Sequence, residues 1–502
     1  MHRLLSAAFL VLLALLRPLA APAQAAAPET VTIDTRDPGT PLPHFWEQMF
    51  GSGRAILTLR DDYRKDLRTV HAATGFQYVR FHAILHDEVG VYDEDRKGRP
   101  HYNFSYVDQI YDGLLADGVR PFVEISFMPA KLAARPDYHA FWYKQIVSPP
   151  ADYAKWDALI TAFTQHLVAR YGIDEVAQWY FEVWNEPNID FWTGRPAQQT
   201  YFELYDHTAR AVKAVNARLR IGGPATAQAA WVDAMIAHAA AQHVPLDFVS
   251  THVYGNDVSH DVFGDQRPIA PHQMVPAAVH KVHDQITASA MPQIPLIWSE
   301  FNATYANETQ ITDSTYEGPW MADTIRQCDG LVQSMSYWSF SDVFEEQGVV
   351  KTPFYGGYGL IAERDIPKPA FLAFSLLHTL GQTRLRAASQ SVLATRRPDG
   401  TLVFAVWNLV EPGLSGPEKT IALDLQGVSP AAKATVRRVD ATHGDTWTAW
   451  KAMGAPANPT LQQIATLKRV GTLAPPEPVA LTGTRLTLRI PSSGLAVIEV
   501  HP

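Results

Sequence analysis

The sequence predicts an α/β protein in which a (β/α)8 barrel of the TIM type is joined to an accessory antiparallel β-sandwich. Between residues 44 and 380, a short apolar segment, a polar loop and a helical stretch follow one another repeatedly, and eight strands can be counted. Strands and helices alternating in this number predict a closed parallel barrel. After about Gln382 the helical stretches give way to strand-like segments separated by turn signals, which is typical of a small sandwich.

Residues 1–25 have the pattern of a signal peptide. His2 and Arg3 precede an apolar run over Leu4–Leu16, and Ala23–Ala25 has the small-x-small form of a cleavage site. The run is short for a membrane span, although an uncleaved anchor is the alternative. We therefore expect an exported chain that begins near Ala26. The only cysteine, Cys328, excludes an intrachain disulfide, which fits a bacterial periplasmic or secreted protein.

Each predicted barrel strand is a short apolar run between polar segments. An open, doubly wound sheet is the competing fold, but it normally carries a glycine-rich phosphate loop after its first strand. The corresponding segment, Phe50–Ala55, has only two glycines. The predicted strands are Phe45–Phe50, Gln77–Leu85, Arg120–Phe127, Gln178–Trp184, Arg220–Gly223, Phe248–Val253, Pro295–Ser299 and Ser334–Phe340. The helices predicted between them include Tyr153–Tyr171, Gln199–Asn216, Trp231–Gln242, Pro276–Ala288 and Glu317–Leu331.

Residues 26–43 and 381–502 are predicted to form the sandwich, without helices. A strand at Val31–Thr35 precedes the barrel and completes the sandwich if the two ends of the chain meet. The remaining strands are predicted at Ser391–Ala394, Leu402–Asn408, Thr420–Leu425, Ala434–Asp440, Arg485–Ile490 and Leu495–Val500.

The composition narrows the class of function. Acidic residues outnumber basic ones, 51 to 42, so a nucleic acid or a membrane surface is not indicated as a partner. Aromatic residues make up 11% of the chain and include 13 Trp, a composition that sugar-binding clefts commonly have.

Two apolar runs each end at a glutamate. The run from Trp179 ends at Asn185, Glu186 and Pro187, and proline cannot continue a strand ladder. The run from Ile294 ends at Glu300. By strand count these are strands four and seven, whose ends face each other across the mouth of an eight-stranded ring. Glycoside hydrolases use two carboxyl groups placed in this way as their catalytic groups. An amide beside the acid can bind the 2-hydroxyl of a sugar.

These residues resemble a known family. The segments Trp184–Asn188 and Trp298–Phe301 are similar to those of retaining barrel glycosidases that share an Asn-Glu-Pro motif. The closer resemblance, over roughly residues 30–500, is to glycoside hydrolase family 39, which contains β-xylosidases and α-L-iduronidases. Further matching motifs are Gly51–Arg54, Arg80–His82, Phe127–Pro129, His252–Tyr254, Tyr337–Asp342 and Phe344–Glu346.

The resemblance assigns roles that strand counting leaves open. It implies that Glu186 is the general acid/base and that Glu300 is the nucleophile. Further implied substrate contacts are Asn185, His82, His252, Tyr254, Trp338, one of Glu345 and Glu346, and an aromatic wall of Phe191 and Trp192 on the aglycone side. Structural roles are the alternatives for His82, Tyr254 and Trp338, and Arg80 is expected to fix a carboxylate rather than to touch sugar.

The implied activity is that of a retaining exo-acting β-xylosidase on β-1,4-xylo-oligosaccharides. α-L-Iduronidase or α-L-arabinosidase activity is the alternative within the family, and an inactive glycan-binding barrel is the non-enzymatic one. An iduronate carboxylate favours a nearby Lys or Arg, whereas Gly255–Asp257, which follow Tyr254, contain no basic residue.

No cofactor and no metal are expected, because the sequence has no His-Glu-x-x-His, Cys-x-x-Cys or calcium-loop motif. The expected partner is a small oligosaccharide, with no membrane contact after signal cleavage. A monomer is expected, since the chain stops at Pro502 without an extension resembling the oligomerising part of some family members.

Overall fold

The computed structural model describes residues 27–429 and 431–501, so the predicted signal peptide lies outside the described residues. All eight predicted strands are present, and they form one closed parallel barrel in chain order. Barrel strands one to eight are Met49–Gly51, Tyr78–Phe81, Arg120–Ile125, Tyr180–Val183, Arg220–Thr226, Phe248–Tyr254, Leu296–Asn302 and Ser334–Tyr337.

The barrel strands are buried on both faces, which explains why they are predicted from continuous apolar runs rather than from alternation. Near the amino ends of the strands, an apolar cluster of Met49, Phe122, Tyr180, Phe248 and Ile297 fills the interior. This cluster closes one end of the barrel, so that polar side chains gather toward the carboxyl ends.

Helices surround the barrel, and most of their ends lie close to the predicted ones. Tyr153–Tyr171 has the predicted bounds, and it starts where the Asp152 side chain accepts hydrogen bonds from the N–H groups of Ala154 and Lys155. The other helices before residue 380 are Ala55–Leu59, Asp61–Thr74, Ser105–Ala116, Ile173–Val176, Ala197–Val215, Ala227–Ala229, Val232–Gln242, Ser259–Phe263, Pro271–Thr287, Thr309–Thr312, Glu317–Cys328 and Pro369–Leu377. None of the helices in the described part of the chain is long and apolar enough to span a bilayer.

Two further sheets combine the start of the described chain with its C-terminal part. The seven-stranded sheet has the order Thr40–Pro41, Thr383–Leu385, Val392–Arg396, Leu402–Asn408, Gly494–His501, Lys433–Val439 and Glu477–Val479. The four-stranded sheet has the order Glu29–Asp34, Lys419–Gln426, Arg485–Ile490 and Leu481–Thr482. One pairing departs from the antiparallel prediction, because Glu29–Asp34 runs parallel to Lys419–Gln426. Short hairpins join Tyr92–Glu94 to Pro100–Tyr102 and Ile361–Ala362 to Ile366–Pro367.

The prediction of no helices after the barrel is wrong, since Thr446–Ala452 and Leu461–Val470 are helical. The second of these begins with a reciprocal cap, in which Thr460 Oγ1 accepts from the Gln463 N–H and the Gln463 side chain accepts from the Thr460 N–H. Their apolar faces pack on the segment that follows barrel strand eight.

A buried ion cluster fixes that same segment. The Nζ atom of Lys368 lies 2.7 Å from Asp313 Oδ1 and 2.6 Å from Asp342 Oδ2, and all three side chains are fully buried. Lys368 Nζ also donates to the Gly357 carbonyl at 2.8 Å. Burial opposes the charge on Lys368, but the two carboxylates outweigh it and raise its pKa. The cluster therefore joins the loops after strands seven and eight, which border the mouth of the barrel.

Candidate active site

A cavity of about 760 Å³ opens at the carboxyl ends of the barrel strands. This end of the fold is where barrel enzymes carry their chemistry. Eight of the predicted site residues line the cavity: His82, Asn185, Glu186, Phe191, Tyr254, Glu300, Trp338 and Glu346.

The backbone turns sharply where strand four ends. Trp184 and Glu186 both have left-handed conformations, with φ of 71° and 45°, which non-glycine residues rarely adopt. The Glu186 N–H is held by a 2.8 Å hydrogen bond to the Ala225 carbonyl. The ladder ends at Val183, before Pro187 is reached, and the turn presents the Glu186 side chain to the cavity. Conformations of this kind often mark functional sites.

Glu186 and Glu300 approach each other across the mouth. His252 Nδ1 lies 3.0 Å from Glu186 Oε1 and 3.7 Å from Glu300 Oε1. One carboxyl oxygen of each glutamate lies within 4.8 Å of the other. Retaining glycosidases have carboxyl groups about 5–5.5 Å apart, whereas inverting enzymes separate them by about 6.5–9.5 Å to admit a water. The spacing therefore suits direct attack by one of the two.

Glu300 is fixed by a donor on each oxygen. Arg80 Nη1 donates to Oε1 at 2.5 Å, and the Tyr254 hydroxyl donates to Oε2 at 2.7 Å. Arg80 is fully buried and also bonds Glu182 at 2.6 Å and the Asn185 Oδ1 atom at 3.0 Å. Its role matches the expectation of a carboxylate-fixing residue. The bond to Asn185 Oδ1 leaves the amide nitrogen as the group that can donate to a sugar hydroxyl.

Glu186 has a different environment. Burial raises its pKa well above the ordinary value, and the negative charges of Glu300 and Asp257 add to this effect, with Arg80 acting against it. Its nearest partner, His252, has a pKa well below the ordinary value because of burial and the charges of Arg80 and His82. A neutral imidazole between Glu186 and the Ser299 hydroxyl thus orients a carboxyl group that keeps its proton. Glu186 is suited to be the acid.

A second wall of the cavity is built from His82, Trp338 and Glu346. His82 Nδ1 lies 2.7 Å from Glu124, and its other nitrogen lies 3.9 Å from both Glu300 and Glu346. Burial raises the pKa of Glu346 to about 8, with Glu300 adding to the rise and His82 opposing it. Below that pH, Glu346 is a neutral acid that can both donate to and accept from sugar hydroxyls.

Three predicted contacts are placed elsewhere. Glu345 turns away from the cavity to Arg60 at 2.5 Å and Arg54 at 3.4 Å, which leaves Glu346 as the cavity residue of the two. Trp192 is a fully buried core residue, and its indole N–H donates to Thr200 Oγ1 at 3.0 Å. Trp192 is therefore not part of an aromatic wall. His252 is fully buried between the two glutamates and acts on them rather than on the cavity surface.

Sequence reasoning missed part of the cavity lining. The loop between strand three and helix Tyr153–Tyr171 contributes His139, Ala140, Phe141, Trp142 and Lys144, and other loops contribute Asp190, Gln228, Asp257, Tyr305, Gln347 and Tyr358. The aromatic segment at 139–143, inside an unusually long loop, was the available signal, because such loops are commonly functional.

Comparison with known proteins decides the family. The family model described as glycosyl hydrolases family 39 matches residues 29–484. The chain belongs to glycosyl hydrolase family 39.

Relatives of this family 39 hydrolase match most of its length. A β-xylosidase of Geobacillus stearothermophilus is 38% identical over 432 residues, which cover 84% of this chain and 85% of the relative. The crystal structure of a monomeric β-xylosidase from Caulobacter crescentus CB15 is 35% identical with a TM-score of 0.85, covering 94% of this chain and 99% of the other. Human α-L-iduronidase is 31% identical over 229 residues, covering 43% of this chain and 33% of the relative.

Two groups of described residues in this family 39 hydrolase bring together three atoms of metal-ligand type. One is Glu186, His252 and Glu300, where the adjacent Arg80 guanidinium already supplies positive charge. The other is His44, Glu47 and His378, in which both Nδ1 atoms bond Glu47 Oε1, at 2.5 Å and 2.9 Å. Acid/base and nucleophilic catalysis by two carboxyl groups requires neither group of residues to hold a metal.

The negative charge of Asp257 helps to raise the pKa of Glu186, and this effect can be tested through the pH dependence of activity. Activity should be lost as the pH rises through the raised pKa of Glu186, because the acid then lacks its proton. In Asp257→Asn one negative neighbour is removed, so the pKa of Glu186 falls and the alkaline limb of the kcat/KM profile moves to lower pH. The profile is measured with a glycoside whose leaving group is another sugar, because such a group needs the proton of the acid to depart. Asp261→Asn, on the short helix Ser259–Phe263 that follows Asp257 and outside the cavity lining, is the control and should leave the limb within the measurement error. An unchanged or more alkaline limb in Asp257→Asn would contradict the assignment.

Proposed function

We propose that the protein is a retaining exo-acting β-xylosidase, which releases xylose from the non-reducing end of β-1,4-xylo-oligosaccharides. The observation that carries the proposal is the short separation of Glu186 and Glu300 combined with their different surroundings. The β-xylosidase names of relatives that cover most of the chain support the choice of sugar.

In the first step Glu300 attacks the anomeric carbon while Glu186 gives its proton to the glycosidic oxygen. The carbon–oxygen bond to the leaving sugar breaks, an ester bond to Glu300 forms, and the leaving sugar departs as an alcohol. Arg80 and Tyr254 hold the attacking carboxylate in place during this step. Because both donors are buried and already oriented, little reorganisation is needed.

In the second step Glu186, now ionised, removes a proton from water. The oxygen of that water attacks the anomeric carbon from the side that the leaving group occupied, and the ester bond to Glu300 breaks. Xylose is released with its original configuration, and Glu186 regains its proton. In both steps the amide nitrogen of Asn185 binds the 2-hydroxyl of the reacting sugar, a role supported by the bond from Arg80 to Oδ1, which leaves the amide nitrogen available.

The charges around the cavity support a neutral sugar over a uronate. Carboxyl groups of Glu346 and Asp257 line the cavity in addition to the catalytic pair. Lys144, on the loop after strand three, is the lysine among the described lining residues. The carboxylate residue Asp190 lines the same cavity, and both residues also line a neighbouring one. An iduronate carboxylate would therefore meet several carboxyl groups and a single lysine among the described lining residues, a lining that does not favour a further negative charge.

A panel of aryl glycosides tests the proposal. We expect kcat/KM to be highest for the β-xyloside and lower for the α-L-arabinoside, β-glucoside and α-L-iduronide. Proton NMR of the first product formed should show the β-anomer of xylose, as double displacement requires. A faster iduronide or arabinoside would replace the assigned sugar, and an α-anomeric first product would overturn the retaining mechanism.

We also propose that the enzyme is exported and acts as a monomer. The pattern of residues 1–25 supports export, and the related Caulobacter crescentus enzyme is described as monomeric. Fractionation of expressing cells and light scattering of the purified protein test the two parts. Retention in the cytoplasm or a stable dimer would contradict them.

A further inference from the structure

A second cavity, of about 690 Å³, adjoins the catalytic cavity. The two cavities share His139, Ala140, Lys144 and Asp190, and the second extends to Tyr138, Val147 and Thr193. Asp190 and Phe191 follow the acid Glu186 on the loop after strand four, whereas Glu300, His82 and Glu346 build the other wall. The second cavity therefore continues the catalytic cavity past the acid, in the direction in which the leaving group departs.

The wall between the two cavities is held rigidly. The His139 ring stacks on Phe191 at a centroid distance of 4.0 Å, and His139 Nε2 lies 3.3 Å from Asp190 Oδ2. Thr193 donates from its backbone N–H to the Val147 carbonyl at 3.0 Å and from its hydroxyl to Asp137 at 2.6 Å. A wall fixed in this way does not have to be ordered by a ligand, which lowers the entropic cost of binding.

The second cavity has the surface chemistry of a sugar site. Tyr138 leaves 61% of its surface exposed, although it lies in a segment whose backbone is bridged to Ile146. An exposed ring on a fixed backbone offers a flat apolar face, and the hydroxyl groups of a sugar can bond to charged groups around it. The Asp190 carboxylate, 73% exposed, and the Lys144 ammonium are such groups.

We propose that this second cavity is a distal subsite for the leaving group of the substrate. It binds the third sugar from the non-reducing end of a xylo-oligosaccharide, with the ring of Tyr138 against the face of that sugar. This inference rests on the proposed xylosidase function and adds a substrate class to it: chains of three or more xylose units are preferred over xylobiose.

Chain-length dependence in Tyr138→Ala tests the subsite. The ratio of kcat/KM for xylotriose to that for xylobiose should fall about three- to tenfold, because one aromatic contact is lost. Turnover of an aryl xyloside, which does not reach the second cavity, should be unchanged. Tyr138→Phe should keep the ratio of the unaltered enzyme, since the ring is retained. Tyr106→Ala, which removes a tyrosine that is 43% exposed on helix Ser105–Ala116, is the matched control and should also keep it.

An unchanged ratio in Tyr138→Ala would overturn the subsite, and so would an equal fall for all three substrates. Absence of aryl xyloside turnover by the unaltered enzyme is a different result. It would contradict the proposed xylosidase function itself, and the subsite with it.

Discussion

Glu300→Ala should lower kcat/KM for an aryl β-xyloside on the order of 10⁴-fold or more, because the attacking group of the first step is gone. The substitution also leaves Arg80 and Tyr254 without the carboxylate that they bond. Added azide can occupy the vacated space and attack the anomeric carbon once, so that α-xylosyl azide accumulates. The product is identified by NMR, and circular dichroism verifies that the variant is folded.

Glu175→Ala is the matched control for Glu300→Ala. Glu175 pairs with Arg120, the first residue of strand three, at 2.7 Å and thus lies at the amino ends of the barrel strands. Its loss should leave kcat/KM within about twofold, as usual for a partly exposed ion pair. Turnover that survives in a folded Glu300→Ala protein, without added azide, would show that another group is the nucleophile.

Glu186→Ala should separate substrates by their leaving groups. Xylobiose, whose leaving alcohol must be protonated, should lose about 10²–10⁴-fold in kcat/KM. An aryl xyloside with an acidic phenol should retain much of its first step, while the second step slows for lack of a base. The ester with Glu300 then accumulates, which appears as a burst of phenol and a lowered KM.

Azide again distinguishes the roles. In Glu186→Ala it should attack the accumulated ester and give β-xylosyl azide, the opposite anomer from that expected for Glu300→Ala. The alkaline limb of the pH profile should also vanish with the carboxyl group of Glu186. Equal losses for xylobiose and the aryl xyloside, or an α-azide product, would contradict the acid/base assignment.

The positions of the two glutamates could be predicted because they depend on simple rules. Apolar runs that stop just before Asn185 and at Glu300 predict where two strands end, and counting strands places those ends opposite each other. The separate roles could not be derived in this way and followed from the family resemblance. The structure supplies a physical reason for them, since Glu300 is bonded by the cation Arg80 whereas Glu186 meets a neutral imidazole.

Irregular loops account for what the sequence did not predict. Glu345 has a left-handed φ of 63°, and it and its neighbour Glu346 point to opposite sides of the loop. Phe191 and Trp192 diverge in the same manner, one toward the cavity and the other into the core. The loop that contains His139 is shaped by contacts such as the bridge from Met128 to Ile146, which no local pattern in the sequence encodes.

The arrangement of the two outer sheets has a consequence for synthesis on the ribosome. Glu29 pairs with Ile421, and Gly494–His501 lies in the middle of the seven-stranded sheet. At about 5–20 residues per second, roughly 20–80 s separate the emergence of the first strand from that of its partner. During this interval the edge of the early strand is unpaired and open to association with other chains. The barrel strands can all be synthesised while this first strand is still unpaired. The interval most exposed to aggregation therefore falls before residues 419–501 have emerged.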